Sequence, residues 1–131
     1  MASLRSLVES ALVTALDSVT TNVYAGFGTE DKALPCVICR AVSAEDAVVS
    51  GGSYVVTCQI TTKDNAGSGS TFDTICESVK AVLDSSTLIT SLNSASLYVY
   101  GFAASSSVQW DIDGDAWTET RAVQIECAPL A

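Results

Sequence analysis

A chain of 131 residues, 48% of them hydrophobic, is the length of one domain and holds enough apolar material for a core without disulfides or a metal. Fifteen acidic residues against six basic ones give a net charge of −9, and the six (Arg5, Lys32, Arg40, Lys63, Lys80, Arg121) are scattered, which argues against nucleic-acid or anionic-membrane binding. The absence of histidine removes the usual general base, the usual transition-metal ligand and the partner of most serine or cysteine nucleophiles.

Only 16% of the residues are charged and the mean hydropathy is +0.35, so a lone molecule of this size is short of polar groups to cover its surface. Subunit contacts are the expected remedy. Five cysteines, an odd number, with no secretory signal, read as reduced thiols used as small hydrophobes.

In chain order, Leu4, Leu7, Val8, Ala11, Leu12, Ala15, Leu16 and Val19 recur at offsets of three and four, which predicts an amphipathic helix with Ser3 as its cap. Glu9 interrupts the apolar run, so this segment is not a signal peptide, and no stretch reaches the roughly 18 apolar residues of a membrane span. The expectation is a soluble chain made in the cytosol. A polar connector over 24–32 leads to an apolar strand over 34–42 that opens with Pro35. Residues 44–52 form the loop of a hairpin, and its return strand over 54–62 alternates, with Tyr54, Val56, Cys58 and Ile60 on one face.

Asp64-Asn65-Ala66-Gly67-Ser68-Gly69 is a flexible low-complexity patch, and Ser70 with Asp73 resembles a capping signal. Phe72, Ile75, Cys76, Val79, Val82 and Leu83 form the stripe of a second helix that frays near 84–86, with an extra turn through Leu88, Ile89 and Leu92. The last third reads as three strands over 97–103, 108–112 and 117–127, with Val123, Ile125 and Cys127 sharing a face. The order α-β-β-α-β-β-β predicts a single α+β domain over residues 1–131, one mainly antiparallel sheet with two amphipathic helices packed on one face.

Four stretches invite a chemical reading. Trp110-Asp111-Ile112-Asp113-Gly114-Asp115-Ala116-Trp117 alternates aspartates as a calcium loop does, yet counted from Asp111 the sixth residue is Ala116 and the twelfth Ala122, where that loop needs glycine and a bidentate acid. Paired carboxylates in a sugar cleft are the second reading of this stretch. The reading adopted is a hairpin, since Asp-Gly is a strong two-residue turn signal and the tryptophans close the strands around it. Cys36-Val37-Ile38-Cys39 has CxxC spacing, but i and i+3 face opposite sides of a strand, and no second pair completes a zinc set. Gly67-Ser68-Gly69-Ser70-Thr71 lacks the lysine and glycine spacing of a phosphate loop and reads as a solvated linker.

Taken together, the N-terminal helix, the proline-containing strand, the hairpin carrying Ala44-Glu45-Asp46, the strand Tyr54-Val55-Val56-Thr57-Cys58-Gln59-Ile60, the second helix and the strand after Asp113-Gly114-Asp115-Ala116-Trp117 resemble the tail terminator (tail completion) proteins of long-tailed bacteriophages. The likeness spans residues 3–128 as a pattern, with no invariant motif. It implies a homo-oligomeric ring, commonly a hexamer, on the head-proximal end of the tail tube. There it stops tube growth and binds the tail tube protein on one side and the neck or head completion protein on the other. It also implies a place in the virion at the tail–neck junction, DNA that passes through the lumen without specific binding, no membrane contact, no catalytic residue, no metal and no cofactor. Asp64, Asn65, Gly67 and Gly69 of the flexible patch and Asp111, Asp113 and Asp115 of the acidic hairpin are the candidate inter-subunit or lumen surface.

The cysteine content and short loops depart from the family pattern, which keeps a neighbouring head–tail connector protein of similar fold as the alternative. Two further classes stay open: a small cytosolic enzyme with Asp111, Asp113 and Asp115 as its acids, and a module that binds a peptide strand at its sheet edge. From the spacing of the acidic hairpin, millimolar calcium is expected to leave the thermal unfolding temperature unchanged. A rise of several degrees that Asp113→Ala abolishes would reverse that reading.

Overall fold

The computed structural model describes residues 3–20, 22–26, 35–46, 53–65, 69–113 and 116–129. Its elements are α1 (Leu4–Leu16), β1 (Val23–Ala25), β2 (Cys36–Asp46), β3 (Tyr54–Asn65), α2 (Gly69–Leu83), α3 (Leu88–Leu92), β4 (Leu97–Asp113) and β5 (Ala116–Pro129). The five described strands form one sheet in the order β1-β2-β3-β5-β4. Only the β1–β2 pair is parallel; β2–β3, β3–β5 and β5–β4 are antiparallel.

The central strand shows why these sequences pair. Along β3, Val56, Cys58, Ile60, Thr62 and Asp64 are buried and the residues between them are half-buried, so one face of the sheet carries the core. Val8, Leu12 and Leu16 of α1, Ile75, Val79 and Leu83 of α2, and Leu88 and Leu92 of α3 join Val56, Cys58, Ile60, Val123, Ile125 and Cys127 in one buried cluster. Each fully buried Leu, Ile or Val side chain there contributes about 1.5–3 kcal/mol relative to exposure. α1 packs on β1 and β2, α2 on β3 and β5, and α3 on α1 and β4. Ser3 caps α1 as the sequence suggests, its Oγ accepting the Ser6 N–H at 3.1 Å.

The observed order departs from α-β-β-α-β-β-β at several points. Tyr24, read as connector, lies in β1, because Val23–Ala25 finds a parallel partner in Val37–Cys39; residues 27–34 lie outside the described set. β2 runs on to Asp46 where a hairpin loop was expected from residue 44, since Ala44, Glu45 and Asp46 pair with Val56, Val55 and Tyr54. Asp64 and Asn65 belong to β3 rather than to a flexible patch, held by Trp117 and Ala116 of β5. Ser70 is the second residue of α2 and not its cap. The extra turn near Leu88 is a separate short helix, so three helices cover the sheet instead of two.

The two strands expected over 97–103 and 108–112 are one strand. β5 runs unbroken beside both halves, and residues 105–107 stand against the single residue Ala122 between the Ala104↔Val123 and Val108↔Arg121 pairs. The serine run is thus a bulge, which keeps the ladder and bends the strand. Smaller bulges place Val42 in β2 and Tyr100 in β4 outside the pairing.

Glu9 is the main surprise of α1. It is buried, and its Oε2 accepts the Ala41 N–H at 2.9 Å. The parallel ladder explains this placement. Val37 N–H donates to Asn22 O at 2.9 Å and Gly26 N–H to Cys39 O at 2.8 Å, so Ala41 carries the next N–H facing β1. β1 ends at Ala25, and Gly26 turns the chain with φ +75°. The Glu9 carboxylate takes the ladder position that β1 leaves open. The backbone angle favours glycine, and a Cβ on Gly26 would press on Glu9 Oε1 at 3.1 Å. Glu9→Ala is expected to cost about 1–3 kcal/mol in urea denaturation by leaving a buried amide unpaired, with Glu9→Gln costing less because it keeps the acceptor.

All five cysteines are buried as thiols rather than disulfides. Burial, then Cys58 and the Glu9 carboxylate, push the Cys39 thiol up from 9.0 to about 12. Burial, then Glu9 and Cys127, raise Cys58 to about 12, and burial raises Cys127 to about 11. These thiols keep their protons in the folded state and release them from pH 9.0 upward when unfolded. Their contribution to stability is therefore complete below pH 9.0 and lost as the pH climbs toward 12. At pH 8 the thiolate fraction at Cys39 and Cys58 is about a thousandfold below that of the unfolded chain. Alkylation of these two by a maleimide should be correspondingly slow until denaturant is added, and the intact mass should not change with reductant.

Candidate functional site

Register brings the two candidate segments to one end of the sheet. Asn65 of β3 pairs with Ala116 of β5, which pairs with Asp113 of β4. One step inward, Asp64, Trp117 and Ile112 stand in a row, and beyond them Thr62, Glu119 and Trp110. The sheet separates the carboxylates by face. Asp64 is buried beneath the helices with Oδ1 accepting the Asn65 N–H at 2.7 Å and Oδ2 without a partner. Asp111 stands exposed on the opposite face, its Oδ1 accepting the Ile112 N–H at 2.8 Å.

Asp64 is therefore not the surface residue that the sequence suggested, because the period of two along β3 turns it inward. Asn65 is exposed, Gly69 opens α2, and Asp113 ends β4. Gly67, Gly114 and Asp115 lie outside the described residues, so the expected Asp-Gly turn is bracketed only by the Asp113↔Ala116 pair. Among the described residues no three His, Cys, Asp or Glu side chains are grouped to hold a metal ion. Cys36 pairs with Lys63 and Cys39 with Ile60, which puts the CxxC thiols on opposite faces.

A side chain that was not singled out organises this end. Glu119 is only 3% exposed. Its Oε1 accepts the Arg121 Nε–H at 2.7 Å and its Oε2 accepts the Trp110 Nε1–H at 3.0 Å. The Cys76 thiol of α2 also hydrogen-bonds it; burial, then the charge of Glu119 and this bond, push that thiol up to about 12. A buried carboxylate with three donors is compensated where an unpaired one is strongly destabilising. The signal was present in the sequence, since extending the Val123–Ile125–Cys127 alternation backwards places Arg121 and Glu119 on the core face.

The result is an aromatic corner. Phe72 of α2 stacks on Trp117 with ring centroids 6.4 Å apart, while Trp110 and Ile112 on the same face of β4 remain 67% and 51% exposed. The outer edge of β4 is guarded elsewhere. The Asn93 side chain accepts from Val99 N–H at 2.9 Å and donates to Val99 O at 3.1 Å, and Ser94 N–H donates to Leu97 O at 3.0 Å. Two bulges interrupt the middle, and Asp111 takes the Ile112 N–H. These are devices that discourage strand addition at an edge.

No family model and no curated protein matches the chain. Solved structures do. A chain of the structure "Virion of native gene transfer agent (GTA) particle" superposes with a TM-score of 0.63 at 14% identity, covering 92% of this chain and 94% of that one. At that identity the likeness is one of fold: the helices and sheet described above are those of a chain in a virion particle, over nearly the whole length of both.

Proposed function

We propose that the chain is a structural protein of a tailed-phage-like virion and that it serves as a tail terminator. It forms a closed homo-oligomeric ring, a hexamer, on the head-proximal end of the tail tube, where it stops tube growth and joins the tail to the neck. The observation that carries this reading is the fold shared with a virion chain across 92% of the residues. The sequence pattern supports the terminator role within that setting.

The surface agrees with assembly. Trp110, Ile112, Tyr98, Tyr100, Val42 and Ile89 are large apolar side chains left exposed, and ring contacts on the order of 1,600 Å² each would cover such surface. Ring closure satisfies every contact without a sticky end. The excess of acid serves a channel for DNA: six subunits at −9 each carry 6 × −9 = −54, and acidic side chains at the lumen repel the phosphate backbone instead of binding it. Of the acids that an enzymatic reading would use, Asp111 accepts the Ile112 N–H, and the side chains of Asp113 and Asp115 lie outside the described residues. At β4, the guarded edge disfavours capture of a peptide strand.

Mixing the purified protein with polymerising tail-tube protein from the same particle tests the assignment by electron microscopy of tube length. Tubes are expected to be shortened and to bear an extra ring at one end. Tubes of unchanged length without that ring would remove the terminator role and leave a neighbouring neck protein as the reading.

A further inference from the structure

Resting on the virion reading above though not on the ring, we propose that the sheet face opposite the helices receives an arginine-bearing segment of a different protein of the particle. Tyr98, Tyr100, Glu126 and Glu45 form the site. Leu97 and Val99 of β4 are buried in the core, so Tyr98 and Tyr100 stand on the face away from the helices, 52% and 38% exposed. Their rings stack with centroids 5.9 Å apart. The backbone beneath them is held as well, because the Asn93 side chain clamps both the N–H and the carbonyl of Val99 at 2.9 and 3.1 Å. An aromatic pair ordered before contact loses little freedom on binding, and its electron-rich faces attract a cation.

The acids stand on the same face. The bulge sets Tyr100 and Gly101 against the single residue Glu126, and a Cβ on Gly101 would meet Glu126 Cδ at 2.9 Å and Oε1 at 3.0 Å. The carboxylate therefore lies across the glycine, at the strand position next to Tyr100. It is exposed, and among the described residues no donor is paired with it. Glu45, also exposed, belongs to the same row, since it pairs with Val55 and Val55 with Glu126. Two strand spacings put these carboxylates about 10 Å apart. The adjoining row, Ser43, Thr57, Gln124 and Ala103, carries no charge, and Thr57, Ala103, Ala122 and Gln124 of this face line a depression of about 580 Å³. Ring faces, carboxylates and an uncharged hollow complement an arginine, whose planar guanidinium both stacks on rings and forks onto a carboxylate. The same acids repel the phosphates of a nucleic acid.

A second copy of the chain is a poor source of that cation. Arg5, Arg40 and Lys63 have interactions of their own, Lys80 is paired with Asp84 and Arg121 with Glu119, and Lys32 lies outside the described residues. Each copy also brings a net charge of −9, which opposes contact with an acidic corner, whereas a basic segment of another protein is drawn to it. Tyr98 and Tyr100 thus serve a contact other than the one between copies.

The test is fluorescence anisotropy of a short labelled peptide in which arginine alternates with alanine, added to the full chain. Saturable binding is expected, at least tenfold weaker when citrulline, which keeps the shape and loses the charge, replaces arginine. Tyr98→Leu, Tyr100→Leu and Glu126→Gln should each weaken it at least fivefold, whereas Asp73→Asn, which removes an exposed acid from α2, should leave it unchanged. If a tyrosine variant lowers the urea midpoint, Glu126→Gln and Glu45→Gln decide in its place. Absence of saturable binding would overturn the site, as would a citrulline or lysine peptide that binds equally well. A loss that Glu126→Gln and Asp73→Asn share would reduce the effect to net charge, and a single-stranded oligonucleotide that displaces the peptide would give the face to nucleic acid; both also overturn it. The peptide result leaves the virion reading standing, and the tube-length result leaves the site standing.

Discussion

The burial of every second side chain of β3 is the constraint on which the rest of the molecule depends. Strands pair with β3 on both sides, and its inward residues meet residues of α1, α2 and α3 in one cluster. Slipping the register by one residue would turn Val56, Cys58 and Ile60 to the outer face and bring Val55, Thr57 and Gln59 under the helices. The alternation also changes character along the strand. It is apolar from Val56 to Ile60 and polar at Thr62 and Asp64. The hydrophobic cluster therefore stops short of one end of the sheet, and a hydrogen-bonded network takes its place.

Two buried glutamates mark the limits of that core, and each completes what the backbone leaves unfinished. Glu9 substitutes for the strand residue that β1 lacks, accepting the amide of Ala41 at 2.9 Å. Glu119 gathers Arg121, Trp110 and Cys76 at the polar end. A buried carboxylate survives only when donors surround it, so each fixes its neighbours as firmly as they fix it. This is how a tryptophan can stay two-thirds exposed at 67% and still hold a single orientation.

That arrangement bears directly on assembly. An edge strand of 17 residues is a hazard for uncontrolled pairing, and β4 manages it with Asn93 at Val99, two bulges, and Asp111 at the Ile112 amide. What stays open is a small apolar patch, Trp110 and Ile112, on the face that carries the helices. Specific association is favoured by a few rigid side chains, whereas an open backbone edge accepts almost any strand. The ring proposed above would require the first kind of surface.

The sequence by itself determined the helices and the alternating strands, because an amphipathic stripe and a period of two are local properties of adjacent residues. Leu12, Val79, Val56 and Ile125 were all legible as core, and Ser3 as a cap. It also carries the argument against chemistry that needs histidine or clustered basic residues. Tertiary structure decided what depends on a distant partner. Tyr24 is a strand residue only because Ile38 lies beside it, and the serine run joins two strands only because β5 spans both. Asp64 reads as loop until β5 pairs with it. Glu9 reads only as a break in the apolar run, and Glu119 carries no reading of its own, until Ala41, thirty-two residues away, and Trp110, nine residues away, supply their donors. Candidate acids at 64 and 111 share one end of the molecule yet stand on opposite faces, since residue spacing encodes a side chain's face within its own strand, while only the assembled register says which face of the sheet that is.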